Sequence, residues 1–177
     1  MNKLPQRKDT RLKHYDYSQS GYYFITICTK DKQNLLSKIN VGGGFHAAPP
    51  GPQLTPIGDE ITETIDFMEK QYSGIDFKNY VIMPNHIHLI IAIHNDKPST
   101  YGGPSGRDGT LPLHRIVGQL KSFTNKRYNE INKRENLILW QRNYYDHIIR
   151  NEEEYLKIYE YIETNPLKWI EDKYYNY

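Results

Sequence analysis

Two histidines stand one residue apart in MPNHIHLII (Met83 to Ile91), inside an apolar run that follows Pro84 and Asn85. In a β-strand successive side chains alternate between faces. His86, His88, Ile90 and Ala92 then share one face. Ile87, Leu89, Ile91 and Ile93 share the other, which is wholly apolar and reads as core. The two imidazoles fall roughly 7 Å apart at Cβ, a separation that one divalent cation can bridge through neutral ring nitrogens. A third ligand would have to come from elsewhere in the chain. The alternative is a pair of half-exposed histidines on a solvated sheet face. A second group lies near the C-terminus. At about 100° per residue, Tyr155, Ile158, Tyr159 and Ile162 gather into a core stripe. Lys157, Tyr161 and Asn165 form a polar ridge beside it, each one turn from the next. A hydroxyl and a carboxamide placed this way can both reach a metal site on a neighbouring sheet. The alternative is an amphipathic tyrosine, one of 16 in the chain, with Asn165 serving only as a helix cap before Pro166.

Regular elements must position these groups. GYYFITICT (Gly21 to Thr29) alternates and is rich in β-branched and aromatic residues, so it reads as a strand. Gln33 to Asn40 is expected to pair back onto it. Thr55 to Tyr72 predicts a helix, with Ile57, Ile61, Ile65 and Met68 at helical spacing and acids in its early turns. Phe77 to His94 reads as two extended pieces joined near Pro84 and Asn85. Leu113 to Asn132 predicts an amphipathic helix with a stripe of Ile116, Val117, Leu120, Phe123 and Ile131. Leu137 to Arg150 is expected to begin as a short strand. Asn151 to Trp169 predicts a helix capped by Asn151 and ended by Pro166. Two Gly/Pro-rich stretches, 41–53 and 95–112, read as loops. Strands interrupted by helices in this order predict an α+β domain spanning 1–177, an antiparallel sheet with helices mainly on one face.

Composition narrows the classes. The chain has 177 residues, ordinary for one domain, and a net charge of +2, too small to argue for nucleic acid by itself. The charge is uneven, because residues 1–14 form a basic arm that includes Arg7, Arg11 and Lys13. The single Cys28 excludes an intrachain disulfide framework and fits a reducing cytoplasm. No apolar run approaches the ~20 residues that span a bilayer, and no secretory signal is legible.

Taken together, MPNHIHLII, the helix containing LKSFTNK and the block WQRNYYDHIIRNEEEYLKIYEYIETNPLKW resemble the REP-associated tyrosine transposases. These are single-domain relatives of the HUH single-strand transposases and nickases. The likeness runs from about Tyr15 to Trp169. It implies a ferredoxin-like core and a Mg²⁺ or Mn²⁺ ion held by His86, His88 and Asn165. It makes Tyr161 the nucleophile, because the family's tyrosine lies four residues before the Asn of the Asn-Pro pair. The implied reaction cleaves and rejoins single-stranded DNA at hairpin-forming repeats (repetitive extragenic palindromes) through a 5′-phosphotyrosine. A monomer is implied, with a homodimer as the alternative.

The DNA must also be held. Lys121, Lys126, Arg127, Arg142 and Arg150 are candidate phosphate contacts, joined by Arg7, Arg11 and Lys13 of the arm. Tyr144, Tyr145 and Trp140 are candidates for stacking on unpaired bases, with a core anchor the stronger reading for Trp140. Asp146 and His147 belong to the same block without a role that sequence alone assigns. Two other readings compete. One is a hairpin-binding protein without catalysis. The other is a zinc hydrolase built on the two histidines, which would want a carboxylate or a third histidine and lacks any His-Glu-x-x-His spacing.

Overall fold

The computed structural model describes residues 16–17, 19–39, 51–94 and 111–175. The first strand, β1 (Gly21–Cys28), alternates as expected: Tyr23, Ile25 and Ile27 are buried in the main core, and Phe24, Thr26 and Cys28 face the other side. A two-residue strand, β2 (Ser37–Lys38), pairs with β3 (Gln53–Leu54), and not with β1 as the sequence suggested. Its partner is hidden at the edge of a Gly/Pro-rich stretch, where two residues carry no period to read. The loop residues 41–50 and 95–110 lie outside the described residues.

Helix α1 (Pro56–Gln71) opens with Thr55 accepting a hydrogen bond from the Gly58 amide at 3.3 Å and with proline in its first turn. Its expected stripe, Ile57, Ile61, Ile65 and Met68, is buried. Strands β4 (Ile75–Ile82) and β5 (His86–Ile93) form the hairpin broken at Pro84 and Asn85. Helix α2 (Leu113–Asn132) has the predicted bounds and ends on Lys133 in the left-handed region at φ 50°. Its inner stripe keeps Ile116, Val117 and Leu120, whereas Phe123 and Ile131 are exposed. Phe123 instead meets Phe67 edge-on across the outer surface, with ring centroids 6.0 Å apart. Strand β6 (Tyr145–Ile149) follows, then helix α3 (Glu152–Thr164) and a 3-10 segment, Asn165–Glu171.

The expected strand at Leu137 is not formed. The Asn125 and Asn129 side chains of α2 take the Leu137 and Leu139 amides at 2.8 Å each, and Trp140 makes one isolated bridge to Thr29. The strand of this block starts later, at Tyr145.

The four long strands order as β4-β5-β1-β6, antiparallel throughout, which with the chain order βαββαβ is the ferredoxin-like arrangement. Helices α1 and α2 cover the apolar face carrying Ile87, Leu89, Ile91 and Ile93. Helix α3 covers the second face through Ile162, packed with Ile90 and Ile149. That face is therefore closed, and the histidines on it are not on a solvated surface. Only Ile162 of the expected α3 stripe is fully buried; Tyr155 and Ile158 are half-buried and Tyr159 is exposed, because α3 crosses one sheet face and, among the described residues, no helix packs behind it.

One close approach decides a substitution. A Cβ on Gly58 would collide with the Leu36 carbonyl oxygen, a backbone atom that cannot swing away. Gly58→Ala is expected to destabilise the fold by about 1–3 kcal/mol despite alanine's better helix propensity, read from a chemical denaturation midpoint.

Candidate functional site

Strand β5 begins at His86, and its register sets His86 opposite Cys28 and His88 opposite Thr26 on β1. Both histidines are fully buried. Their rings meet edge-on at 4.5 Å, and the two Nε2 atoms lie 3.1 Å apart. Neighbouring amides orient them. Asn85 Nδ2 donates to the carbonyls of Tyr174 at 2.8 Å and Lys32 at 3.3 Å, so its Oδ1 is the atom facing His86 Nδ1 at 2.8 Å. An oxygen there requires a proton on Nδ1, which leaves His86 Nε2 as a bare lone pair. Thr26 Oγ1 holds His88 Nδ1 at 2.8 Å. A hydroxyl can donate or accept, so it serves either His88 tautomer, including the one that turns a lone pair of Nε2 inward.

Burial drives the pKa of His86 down to about 3, with the Lys173 and Lys32 charges adding to the effect. Burial, with His86 next, holds His88 well below its ordinary value. Both rings are neutral at any physiological pH, the form that ligates a metal.

Helix α3 delivers the second group. Tyr161 Oη lies 3.2 Å from His88 Nε2, and its ring sits 5.1 Å from the His88 ring. Phe24 braces both, stacked on His88 at 5.3 Å and edge-on to Tyr161 at 6.1 Å. Burial raises the Tyr161 phenol to about 12, and the Asp172 carboxylate adds to the rise. Asn165 caps the end of α3 and is buried. Its Nδ2 donates to Asp172 Oδ2 at 2.8 Å, so the buried Oδ1 is the other carboxamide atom, and it has no hydrogen-bond partner among the described residues.

Asp172 is the residue that sequence reading missed. It lies within 4.8 Å of the histidine nitrogens as a ligand-atom group, and its Oδ1 accepts from the Tyr174 amide at 2.6 Å. It follows the last periodic helix in a short irregular turn, and its only sequence signal is an acid a few residues beyond the Asn-Pro pair. Tyr174 was also missed; its ring lies 4.5 Å from that of His86 and roofs the pair.

These observations fit a divalent cation. Two neutral imidazoles, an orphaned buried carboxamide oxygen and a nearby carboxylate are a mixed nitrogen and oxygen donor set. Of the four residues that the resemblance joins, the fold sets Tyr161 Oη against His88 Nε2 and His88 against His86, and it ties Asn165 to Asp172, which lies by the same histidines.

The DNA-binding candidates are spread more widely. Lys121 Nζ donates to the carbonyls of Gln141 at 2.6 Å and Arg142 at 2.9 Å, so it ties α2 to the chain after Trp140. Lys121→Met is expected to lower stability by about 1 kcal/mol and to leave the salt dependence of DNA binding unchanged, measured as a denaturation midpoint and as the slope of affinity against salt. Lys126 and Arg127 are exposed and share Glu130, at 3.9 and 3.0 Å, and Arg127 also reaches Glu60. Arg142 and Arg150 are exposed, and Tyr144 is packed partly against the main core. Trp140 is a core anchor, with Nε1 donating to Thr124 Oγ1 at 2.8 Å. His147 Nε2 meets Glu154 Oε1 at 2.6 Å and fastens β6 to the first turn of α3. Asp146 is buried. Arg7, Arg11 and Lys13 lie outside the described residues. Among the described residues no helix is long and apolar enough to cross a membrane.

No family profile matches the chain. An uncharacterized protein of Haemophilus influenzae is 34% identical over 178 residues, covering 97% of this chain and 94% of that relative. A solved structure of a REP-associated tyrosine transposase bound to a REP hairpin has the same fold, with a TM-score of 0.53 and 18% identity over 90% of this chain and 73% of that one.

Proposed function

We propose, from the premise that the chain belongs to one family with the Haemophilus influenzae protein and has the fold of a REP-associated tyrosine transposase, that it cleaves and rejoins single-stranded DNA at hairpin-forming repeats. The observation that carries the reading is Tyr161 Oη at 3.2 Å from His88 Nε2, beside the orphaned Oδ1 of Asn165. A phenol held against a metal-type donor set is the arrangement for nucleophilic attack on a phosphodiester.

In this reading His86 Nε2, His88 Nε2 and Asn165 Oδ1 hold the cation, and Asp172 either joins them or fixes the Asn165 carboxamide with its oxygen inward. Mn²⁺ suits the imidazole content of the set better than Mg²⁺, which favours oxygen alone. The bound ion would neutralise charge on a non-bridging phosphate oxygen. Phe24 and His88 hold the Tyr161 ring so that Oη points at the site. The new bond is Oη to phosphorus, and the bond broken is phosphorus to the 3′ oxygen, which departs as a hydroxyl; the proton that Oη gives up balances the one that the 3′ oxygen takes up. The products are a 5′-phosphotyrosine and a free 3′ end. Because one phosphoester replaces another, a different 3′ hydroxyl can reverse the step without a nucleoside triphosphate. Burial and Asp172 raise the phenol to about 12 in the free protein, so its deprotonation is harder there than for an ordinary tyrosine.

The test mixes the protein with a labelled single-stranded hairpin from repeats flanking its gene, with Mn²⁺ or with chelator, on a denaturing gel. A metal-dependent covalent DNA–protein band supports the reading. Binding without a band, across several hairpins, leaves a non-catalytic hairpin binder. Asp172 supplies the carboxylate that a zinc hydrolase would need, and that second reading predicts cleaved DNA with no covalent product.

A further inference from the structure

A cavity of about 390 Å³ opens beside Tyr161 on the side of β6. Phe24, Tyr145 and Tyr161 give it aromatic walls, Asn165 lies in its lining, and Lys168 and Lys173 stand at its edge. Its size falls in the range of pockets that take one small ligand. Phe24 is shared with the histidine pair, so the cavity and the candidate metal centre have a common wall.

Tyr145 is anchored by its backbone, opposite Thr26 on β1, more than by its ring. It sits on the edge strand, it is 45% exposed, and among the described residues its ring meets Phe24 edge-on at 6.3 Å and Lys173, whose Nζ lies 5.8 Å from the ring centre. A large aromatic ring left open beside cations is a platform for a nucleobase with its phosphate. The two acids of the lining do not contradict this. Asp172 is engaged by Asn165 and the Tyr174 amide, and Glu171 is exposed to solvent.

We infer that this cavity holds a single nucleotide of the DNA strand, the one immediately 3′ of the scissile phosphate, with its base stacked on Tyr145 and its backbone met by Lys168 and Lys173. The inference rests on the strand-cleavage reading. In an in-line displacement the 3′ oxygen departs on the side of phosphorus away from Tyr161 Oη. The upstream nucleotide therefore lies away from Tyr161. The space flanking Tyr161 is left to the downstream nucleotide, whose 5′ phosphate becomes the phosphotyrosine. Tyr145 is then a specificity residue, and it sets how firmly the retained end is held between cleavage and rejoining.

The experiment uses hairpin oligonucleotides whose single-stranded flank carries 2-aminopurine, or an abasic residue, at each position in turn. Binding is read as fluorescence quenching on the Tyr161→Phe protein, which keeps the ring but cannot react. Covalent capture is read on wild type. One flank position is expected to be quenched. The quench disappears in Tyr145→Ala and survives in Tyr145→Phe. An abasic residue there slows capture by wild type roughly 10- to 100-fold and slows Tyr145→Ala no further. Lys173→Ala reduces the salt slope of binding by about one. A quench that Tyr145→Ala leaves intact, or no quench while wild type captures DNA, overturns the nucleotide site and spares the cleavage reading. A Tyr145-dependent quench with no covalent product from wild type keeps the nucleotide site and overturns the cleavage reading.

Discussion

Tyr161→Phe is expected to abolish covalent DNA capture, by at least roughly 10³-fold, while hairpin affinity stays within a few-fold of wild type. The substitution removes one oxygen. The ring keeps its contacts with Phe24 at 6.1 Å and His88 at 5.1 Å, so the site retains its shape. The lost hydrogen bond, 3.2 Å to His88 Nε2, joins a group 38% exposed, so stability should change by no more than about 1 kcal/mol. Binding and folding then serve as internal controls, and the loss falls on chemistry alone. Tyr174 must be tested beside it, because its ring also packs on His86. Tyr174→Phe is expected to keep the covalent band. If the band survives in Tyr161→Phe and vanishes in Tyr174→Phe, the nucleophile has been assigned to the wrong tyrosine.

The parts of this site that the sequence exposes are those with a period. The alternation of HIHLIIAI separates an apolar face from a histidine face, and the four-residue step from Tyr161 to Asn165 puts both on one ridge. Helix α2 is legible for the same reason. Three things had no such signal. The partner of β2 is two residues long, so no alternation marks it. Leu137 to Trp140 looks like a strand because it is apolar, yet its amides are taken by asparagine side chains of α2. Asp172 lies in a turn after the final helix, and only the chain's return to the sheet brings it near His86 and His88. The burial of the histidines was also hidden. Alternation tells which residues share a face, but it does not tell what covers that face. Here α3 and the turn around Tyr174 cover it, and burial lowers the pKa of both imidazoles so that they stay neutral.

That burial frames the second large effect. Replacing both histidines, His86→Leu with His88→Leu, is expected to reduce cation binding and covalent capture to background while costing the metal-free fold no more than the single replacement His88→Leu. The bond between the two rings is then removed from both sides at once and apolar side chains of similar volume refill the face, so the remaining cost is that of the buried Thr26 hydroxyl and Asn85 Oδ1, which lose their ring partners. A single replacement removes one side of the ring-to-ring bond. His88→Leu strands His86 Nε2 and takes the partner from Thr26, so it should destabilise by about 1–3 kcal/mol. Thr26→Val, which keeps the shape and deletes the hydroxyl that holds His88 Nδ1, should weaken cation affinity about 10- to 100-fold. Thermal melts with and without Mn²⁺ separate these cases. Wild type should gain about 2.7 kcal/mol at a cation concentration 100 times the dissociation constant. The double variant should gain nothing from any concentration, although its metal-free melting temperature is no lower than that of His88→Leu. A double variant that melts well below metal-free His88→Leu would mean that the pair is structural, and a double variant still stabilised by Mn²⁺ would move the cation to another site. A folded protein that has lost both the cation response and the covalent band is the result that makes the histidines functional.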